Sequence, residues 1–225
     1  MSEQTRPKRR YDATGRRVRA EATRGRVVEA ASRVFLARGY AGATIPAIAA
    51  EAGVALQTVY RAAPGKAGLL AAAVNAAVAG GVERSHRPVE TRPAIRAITQ
   101  EPDPRRQLAL YAHTQPGIWA RVGPLLGVLE AAAVTEPDLA RLQQEQDAQR
   151  HAGLTRFTQS LHAREVLRPE LTPQRAADLI VTLASYATYQ SLVVTHGWTD
   201  AQYEAWLSDT LQHCLLAEPI RSRTP

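Results

Sequence analysis

The sequence predicts an all-α protein, and three observations support this fold class. Apolar residues recur at helical intervals along most of the 225-residue chain. Sustained alternation of apolar and polar residues is absent, as are the Asn-Gly and Asp-Gly pairs of tight hairpins. Hydrophobic residues make up 45% of the chain, which is enough for a buried core and too high for a disordered protein.

Four helices are predicted in the first third of the chain. The first spans about 15–38, with an apolar face that includes Val27 and Phe35, and Gly39 ends it. Thr44 is expected to cap a short helix to Glu51, with Pro46 tolerated in its first turn. The remaining two helices of this region are residues 56–62, ended by Pro64-Gly65, and residues 66–84, which carry a regular apolar stripe.

Residues 80–104 contain two glycines and four prolines, which indicate a joint with one short helix at about 94–99. Beyond it, prolines suited to the first helical turn precede long periodic stretches. A capping box of Thr199 and Gln202 begins the last helix. The helices predicted after the joint are residues 104–121, 124–134, 137–164, 173–196 and 199–217.

Positive charge is concentrated at the N-terminus. Residues 1–66 hold thirteen Lys and Arg against five Asp and Glu, a net charge of +8, and the remainder has a net charge of −1. A basic module on a near-neutral body is typical of a nucleic-acid-binding protein with a second functional domain. A solubilising basic tail is the alternative, but the excess of charge continues well beyond Arg19.

Other composition features exclude several classes of protein. No apolar run reaches the roughly 18 to 20 residues that span a bilayer, so no membrane partner is expected. Residues 1–26 lack the apolar segment of a secretory signal. The single cysteine, Cys214, excludes an intrachain disulfide and fits a reducing compartment. Together with the basic N-terminal module, it predicts a cytoplasmic, DNA-associated protein.

The segment 44–60 has the pattern of a helix-turn-helix. Gly53 separates two short helices and can adopt the positive φ that a tight turn requires. Ala49 is small enough for a close helix approach, while Ile48 and Val59 are expected to fill the wedge between the helices. The second helix is then free to enter a DNA major groove.

This chain resembles the tetracycline-repressor (TetR) family of bacterial transcriptional regulators. The resemblance lies in residues 30–39, 44–60 and 66–70, and more weakly in 175–179, 197–199 and 203–207. It implies a basic flexible arm (1–15), a three-helix helix-turn-helix DNA-binding domain (16–66), a connecting helix (66–84), a larger helical ligand-binding and dimerisation domain (85–217) and a tail (218–225). Many members have a His-Phe pair where this chain has Ala62-Ala63, which removes aromatic packing between the third and fourth helices.

The resemblance implies roles for residues of the N-terminal domain. Gln57, Thr58 and Arg61 would face base edges or nearby phosphates, because Gln pairs with adenine and Arg with guanine. Tyr60 and Lys66 would hold phosphates, and Thr44 would cap a helix and touch the DNA backbone. The remaining candidates, which would lie along phosphates or reach a minor groove as a flexible arm, are Arg16, Arg17 and Arg19.

The C-terminal region is expected to hold an effector pocket and a dimer interface. The pocket follows from the resemblance, and core packing is the alternative role for each of its candidate residues, Tyr111, His113, Trp119, Phe157 and His162. Helix 173–196 has apolar residues on more than one face, which a partner or the rest of its own domain would cover. The candidate dimer residues are Leu179, Leu183, Ala187, Tyr203, Trp206, Leu207 and Leu211.

No signature of catalysis, a metal site or a cofactor is present. The six histidines include no pair spaced four residues apart, and the chain has no Walker, dinucleotide-binding or nucleophile-elbow motif. The sequence thus predicts a homodimeric transcriptional regulator, most readily a repressor released from a palindromic operator by a small-molecule effector. Two other classes stay open: a sequence-indifferent architectural DNA binder, and a ligand-binding helical protein with weakened DNA binding.

Overall fold

The computed structural model describes residues 13–217, and they form helices connected by short loops. Residues 1–12 of the expected arm and the expected tail 218–225 lie outside the described residues. The helices are α1 (Ala13–Gly42), α2 (Ile45–Ala52), α3 (Leu56–Ala62), α4 (Gly65–Ala79), α5 (Val82–Ser85), α6 (Pro93–Gln100), α7 (Pro104–Ala133), α8 (Pro137–Ala163), α9 (Pro173–Leu183), α10 (Tyr186–Tyr189) and α11 (Asp200–Leu215). Within this range β structure is limited to one isolated antiparallel bridge between Leu167 and Leu216, so the predicted all-α class is confirmed.

Predicted helix ends that depend on a local signal are confirmed. Gly39 has φ 65° and ψ 179°, which breaks α1 where the sequence predicts its end, although one more helical turn follows to Gly42. Thr172 accepts a hydrogen bond from the Arg175 amide at 3.3 Å at the start of α9. Thr199 and Gln202 form the reciprocal capping box of α11.

The predicted break between residues 121 and 124 is wrong. A single 30-residue helix, α7, continues through Pro116 and Pro124, although each proline deprives the carbonyl four residues earlier of its usual partner. Packing outweighs this local cost, because Trp119, Val122 and Leu125 are buried on the core side of the same helix. The predicted helix 66–84 is also wrong in its length, since Gly80 and Gly81 have positive φ and end α4 at Ala79.

The predicted continuous helix 173–196 is interrupted. It leaves helical geometry at Ala184, and Ser185 then caps α10 by accepting a hydrogen bond from the Thr188 amide at 3.1 Å. The chain continues as a wider helical turn over Gln190–Thr195. Gly197, with φ 71°, ends it at the predicted place.

The long helix α7 connects the two parts of the molecule. It packs against α8 and α11 in the C-terminal part, and against α1 and α4 in the N-terminal part. Arg121 on α7 donates a hydrogen bond to the Ala77 carbonyl near the end of α4, at 3.2 Å. The joint is fastened by buried Gln107, whose amide donates to the Ile98 carbonyl of α6 at 2.8 Å.

Candidate nucleic-acid interface

Helices α2 and α3 form the predicted helix-turn-helix. The hydroxyl oxygen of Thr44 accepts a hydrogen bond from the Ala47 amide at 3.2 Å and so caps α2. Gly53 lies in the left-handed region, with φ 63° and ψ 39°, and ends the same helix. The Val54 amide then donates to the Ala49 carbonyl at 3.0 Å, which closes the turn before α3. Two local signals therefore position the second helix of the motif.

The motif rests on a buried core. Ile48 of α2, Val59 of α3 and Phe35 of α1 are fully buried, and Ala49 is 5% exposed at the close approach that the sequence predicts. An exposed ion pair between Arg33 and Glu51, at 2.7 Å, joins α1 to α2 on the outer side. Because one face of α3 is anchored in this core, its opposite face is presented to solvent.

That outer face of α3 consists of polar and amphipathic side chains. Tyr60 is 61% exposed, Gln57 and Arg61 are exposed, and Thr58 is half-buried. Within the described range, none of these four side chains makes a hydrogen bond or ion pair with the protein. Their donors and acceptors are therefore available to an external partner such as base edges or phosphates.

Lys66 is held inside the protein more firmly than a phosphate-binding role alone implies. Its ammonium group donates to the Tyr40 carbonyl at 2.9 Å and lies 4.1 Å from the centroid of the Tyr40 ring. This half-buried side chain fastens the start of α4 to the end of α1. A lysine one residue into a helix carries no sequence signal for such a contact.

The expected flexible arm is helical from Ala13 onwards. Arg17 pairs with Glu21 at 3.1 Å, and Arg19 donates to the Gly15 carbonyl at 3.1 Å, so both lie along the exposed surface of α1. The Arg16 side chain is not among those described. The part of the expected arm that precedes Ala13 lies outside the described residues.

Arg24 is a connecting residue that sequence reasoning missed. From α1 it donates to the Ala62 carbonyl at the end of α3, at 3.1 Å, and it lies 3.4 Å from the His86 ring nitrogen just after α5. This one side chain thus connects α1 to the end of α3 and to the joint. The only sequence signal was its position in a basic stretch.

The Ala62-Ala63 pair forms a close corner between α3 and α4. Both alanines are buried, and a Cβ built on Gly68 would lie 2.8 Å from Pro64. Small side chains at Ala63 and Gly68 allow the two helices to meet closely.

The structure brings two of the five candidate pocket residues into contact. Tyr111 and Phe157 stack with their ring centroids 6.4 Å apart, and Trp119 is buried further along α7. The two histidines lie at the surface instead, where His113 forms an exposed pair with Glu204 at 2.9 Å and His162 is exposed. Both histidines lie on the solvent-facing sides of their helices, and the apolar pattern of the sequence did not indicate this.

Arg150 completes this aromatic region. It lies over the Trp119 ring, 5.1 Å from the ring centroid, and donates to the Ala184 carbonyl at 2.7 Å. Burial raises the pKa of the Tyr111 phenol, and nearby Arg150 partly offsets that increase. Burial also raises the pKa of the Tyr203 phenol.

The candidate dimer residues divide into two groups. Tyr203, Leu207 and Leu211 are fully buried in the protomer core, so the expectation that they contact a partner is wrong for this conformation. They lie on the side of α11 that packs against α7. The other four candidates are exposed or half-buried, namely Leu179, Leu183, Ala187 and Trp206.

The described residues 13–217 contain neither a cluster typical of a metal site nor a single helix that could span a membrane. No group of three or more His, Cys, Asp or Glu in this range has the arrangement of a metal site. No single described helix is long and apolar enough to cross a membrane. The bent pair α3 and α4, at 60°, reaches the required length and composition only together, and it includes the core residues Val59, Leu69 and Leu70.

The family comparison identifies the same region as the fold does. Residues 27–73 match the model of bacterial regulatory proteins of the tetR family, which covers α2, α3 and much of α1 and α4. A comparison with curated proteins gave no match.

Solved structures of similar fold cover nearly the whole chain. A protein from Mesorhizobium loti, provisionally assigned to the TetR-family transcriptional regulators, is 19% identical with a TM-score of 0.66, over 88% of this chain and 99% of that one. NalD, the secondary repressor of the MexAB-OprM multidrug efflux pump in Pseudomonas aeruginosa, is 19% identical with a TM-score of 0.64, over 89% and 100%. SmeT in complex with triclosan is 18% identical with a TM-score of 0.65, over 91% and 98%. At these identities the likeness establishes a shared fold.

Proposed function

We propose that this chain, whose residues 27–73 match the tetR-family model and whose fold is shared with the solved structures above, is a homodimeric, sequence-specific transcriptional repressor that a small-molecule effector releases from a palindromic operator. The observation that carries the proposal is the outer face of α3. Gln57, Tyr60 and Arg61 are exposed there without a partner among the described residues, while Val59 anchors the opposite face. A short helix held in this way is the recognition element of a helix-turn-helix.

Charge supports DNA as the partner. The first 66 residues carry a net charge of +8, and the rest of the chain is close to neutral. Phosphate attraction is therefore concentrated on the part of the molecule that presents α3, which brings a duplex to the recognition helix. Thr44 is exposed at the start of α2 and is proposed to touch the DNA backbone there.

The dimer is proposed on the exposed apolar surface of the last helices. The residues of this surface belong to the stretch from the end of α9 to α11. Val194 is 66% exposed, Ala187 is exposed, and Leu183 and Trp206 are half-buried. A second copy of the chain would cover this surface and remove it from water. Two recognition helices would then read two half-sites about 34 Å apart, whereas one short helix alone binds weakly.

Release by an effector requires that the ligand bind one conformer better than another. Two side chains form a chain of contacts from the C-terminal part towards the motif. Arg121 of α7 donates to the Ala77 carbonyl near the end of α4, and Arg24 of α1 lies between His86 in the joint and the Ala62 carbonyl at the end of α3. A shift of α7 moves the end of α4 through Arg121, and a shift of the joint at His86 reaches the end of α3 through Arg24. We propose that the effector alters the spacing of the recognition helices along this route.

The first test is fluorescence anisotropy with duplex DNA from upstream of the protein's own gene. The comparisons are a scrambled duplex and a duplex cut to one half-site, each at two salt concentrations. We expect a preference of about 10³ or more over the scramble, with much weaker binding to the half-site. Equal, salt-sensitive binding to all duplexes would favour an architectural DNA binder, and ligand stabilisation without DNA binding would favour a ligand-binding protein.

Substitutions on α3 test the assignment of its outer face. Arg61→Ala and Gln57→Ala are each expected to weaken operator binding about tenfold while leaving binding to the scramble little changed, since both side chains are proposed to read bases. The matched control is Arg156→Ala, which removes an equal charge from the exposed surface of α8. If the control weakened the operator complex as much as Arg61→Ala, the effect would be one of overall charge, and α3 would lose its assigned role.

A further inference from the structure

An unpaired cation lies among aromatic rings in the C-terminal part. Arg150 of α8 is half-buried, and no ion pair among the described residues includes it. Its guanidinium carbon lies 5.1 Å from the centroid of the Trp119 ring, and one nitrogen donates to the Ala184 carbonyl. A half-buried charge is costly without an opposite charge, so this arrangement calls for one.

Buried donors without partners lie in the same region. The indole N–H of Trp119, the hydroxyl of Tyr203 and the amide nitrogen of Gln146 are buried without a hydrogen bond of standard geometry to any described residue, although the indole N–H lies close enough to the Tyr203 oxygen to lower the pKa of that phenol. Trp119 is 6% exposed and Tyr203 is 0% exposed. Gln146 precedes Arg150 by one helical turn on α8, so the two side chains emerge from the same face. Buried donors of this kind are rare in folded proteins unless something else satisfies them.

All four groups can donate a hydrogen bond, so they require an acceptor. Arg150, Trp119 and Gln146 each offer an N–H donor, and Tyr203 offers a hydroxyl proton. We infer that this Arg150 cluster (Trp119, Gln146, Arg150 and Tyr203) binds a planar aromatic carboxylate, which is the effector of the regulator proposed above. The regulatory meaning rests on the proposed function, whereas the binding itself does not.

The carboxylate and the aromatic ring of the ligand each match a feature of the cluster. A carboxylate supplies the negative charge for Arg150 and oxygens that accept from the neighbouring donors. A flat ring suits an aromatic environment, in which Trp119 packs against Tyr186 with the ring centroids 5.9 Å apart and Tyr111 stacks with Phe157. A cationic ligand would be repelled by Arg150, and a neutral amide would leave its charge unpaired.

The segment that carries Tyr186 is the element expected to move when the ligand enters. The Tyr186 ring lies directly against Gly123 of α7. A Cβ atom at Gly123 would be only 2.0 Å from Cε2 of that ring. Tyr186 also follows directly after the helix break at Ala184 and Ser185, and the Ala184 carbonyl accepts a hydrogen bond from Arg150. A carboxylate that pairs with Arg150 therefore competes with the hydrogen bond from Arg150 to the Ala184 carbonyl, which holds the chain at this break.

The experiment is isothermal titration calorimetry of the purified full chain without DNA. The probes are naphthalene-2-carboxylate, the neutral isostere naphthalene-2-carboxamide and decanoate, which carries the charge without the ring. The variants are Arg150→Met, which keeps the aliphatic stem, Arg150→Lys, which keeps the charge, and Arg156→Met as a control elsewhere on α8. Circular dichroism of each variant verifies that it is folded.

We expect the aromatic carboxylate to bind at least tenfold more tightly than the amide and than decanoate. Arg150→Met is expected to abolish the preference over the amide, Arg150→Lys to retain part of it, and Arg156→Met to leave it unchanged. The inference is overturned by equal affinity for carboxylate and amide, by a preference that survives Arg150→Met, or by no binding of the aromatic carboxylate. Operator binding by the unliganded protein is measured separately, so failure of the DNA-binding proposal is distinguishable from failure of this one.

Discussion

Replacing Phe35 with alanine is expected to lower the free energy of unfolding by about 3 to 5 kcal/mol, the range for truncating a buried aromatic side chain. Phe35 is 0% exposed and stacks with Tyr40 at 6.0 Å between ring centroids. It is one of the chain's two phenylalanines, and it lies in the core with Ile48 and Val59 of the helix-turn-helix. Urea denaturation followed by far-UV circular dichroism measures the change.

The neighbouring residue supplies the control. Leu36 is 48% exposed on the same helix, so Leu36→Ala removes apolar surface that is already in contact with water. We expect a change below about 1 kcal/mol for this variant. Equal losses for Phe35→Ala and Leu36→Ala would mean that Phe35 is not the centre of this core. Because α2 and α3 rest on Phe35, operator affinity should fall with Phe35→Ala and not with Leu36→Ala.

Replacing Gly123 with alanine is expected to destabilise the protein by about 2 to 3 kcal/mol through overpacking. The added Cβ would lie 2.0 Å from Cε2 and 2.5 Å from Cζ of Tyr186, which is far inside van der Waals contact. The phenol ring is stiff, so relief requires displacement of the ring or of α10 as a whole. Thermal and urea unfolding, combined with the near-ultraviolet aromatic signal, report both effects.

The same helix contains a matched position. A Cβ on Gly127 meets nothing within 4 Å, so Gly127→Ala should stabilise α7 by up to about 1 kcal/mol through helix propensity alone. Combining Gly123→Ala with Tyr186→Ala should cost less than the sum of the two single changes, because the ring that clashes is gone. Strict additivity in this cycle would contradict a direct contact between Gly123 and Tyr186.

The helix-turn-helix was largely predictable because its determinants are local. A threonine before an apolar helix, a glycine at a left-handed turn and apolar residues at fixed spacing act within one or two helical turns. Thr44 and Gly53 adopt the expected geometry, and the face with Gln57 and Arg61 is exposed as its spacing indicates. The +8 charge of the first 66 residues is likewise a property of the sequence, since summation of charge needs no fold.

The C-terminal part was less predictable because its features depend on distant contacts. Pro116 and Pro124 do not interrupt α7, since the packing of Trp119 and Leu125 outweighs the two lost hydrogen bonds. Similarly, apolar periodicity on α11 marks a buried face without saying what covers it. The buried face of Tyr203 and Leu207 is covered by α7 of the same chain and not by a partner.

The sequence alone thus determined the all-α class, the helix-turn-helix with its caps and the concentration of positive charge near it. The tertiary structure alone decided that Arg150 of α8 lies over Trp119 of α7 without a carboxylate partner among the described residues, and that Lys66 is held by Tyr40. The reason is the range of the forces involved. Capping and helix propensity act between residues close in sequence, whereas burial and charge pairing act between residues that only folding brings together.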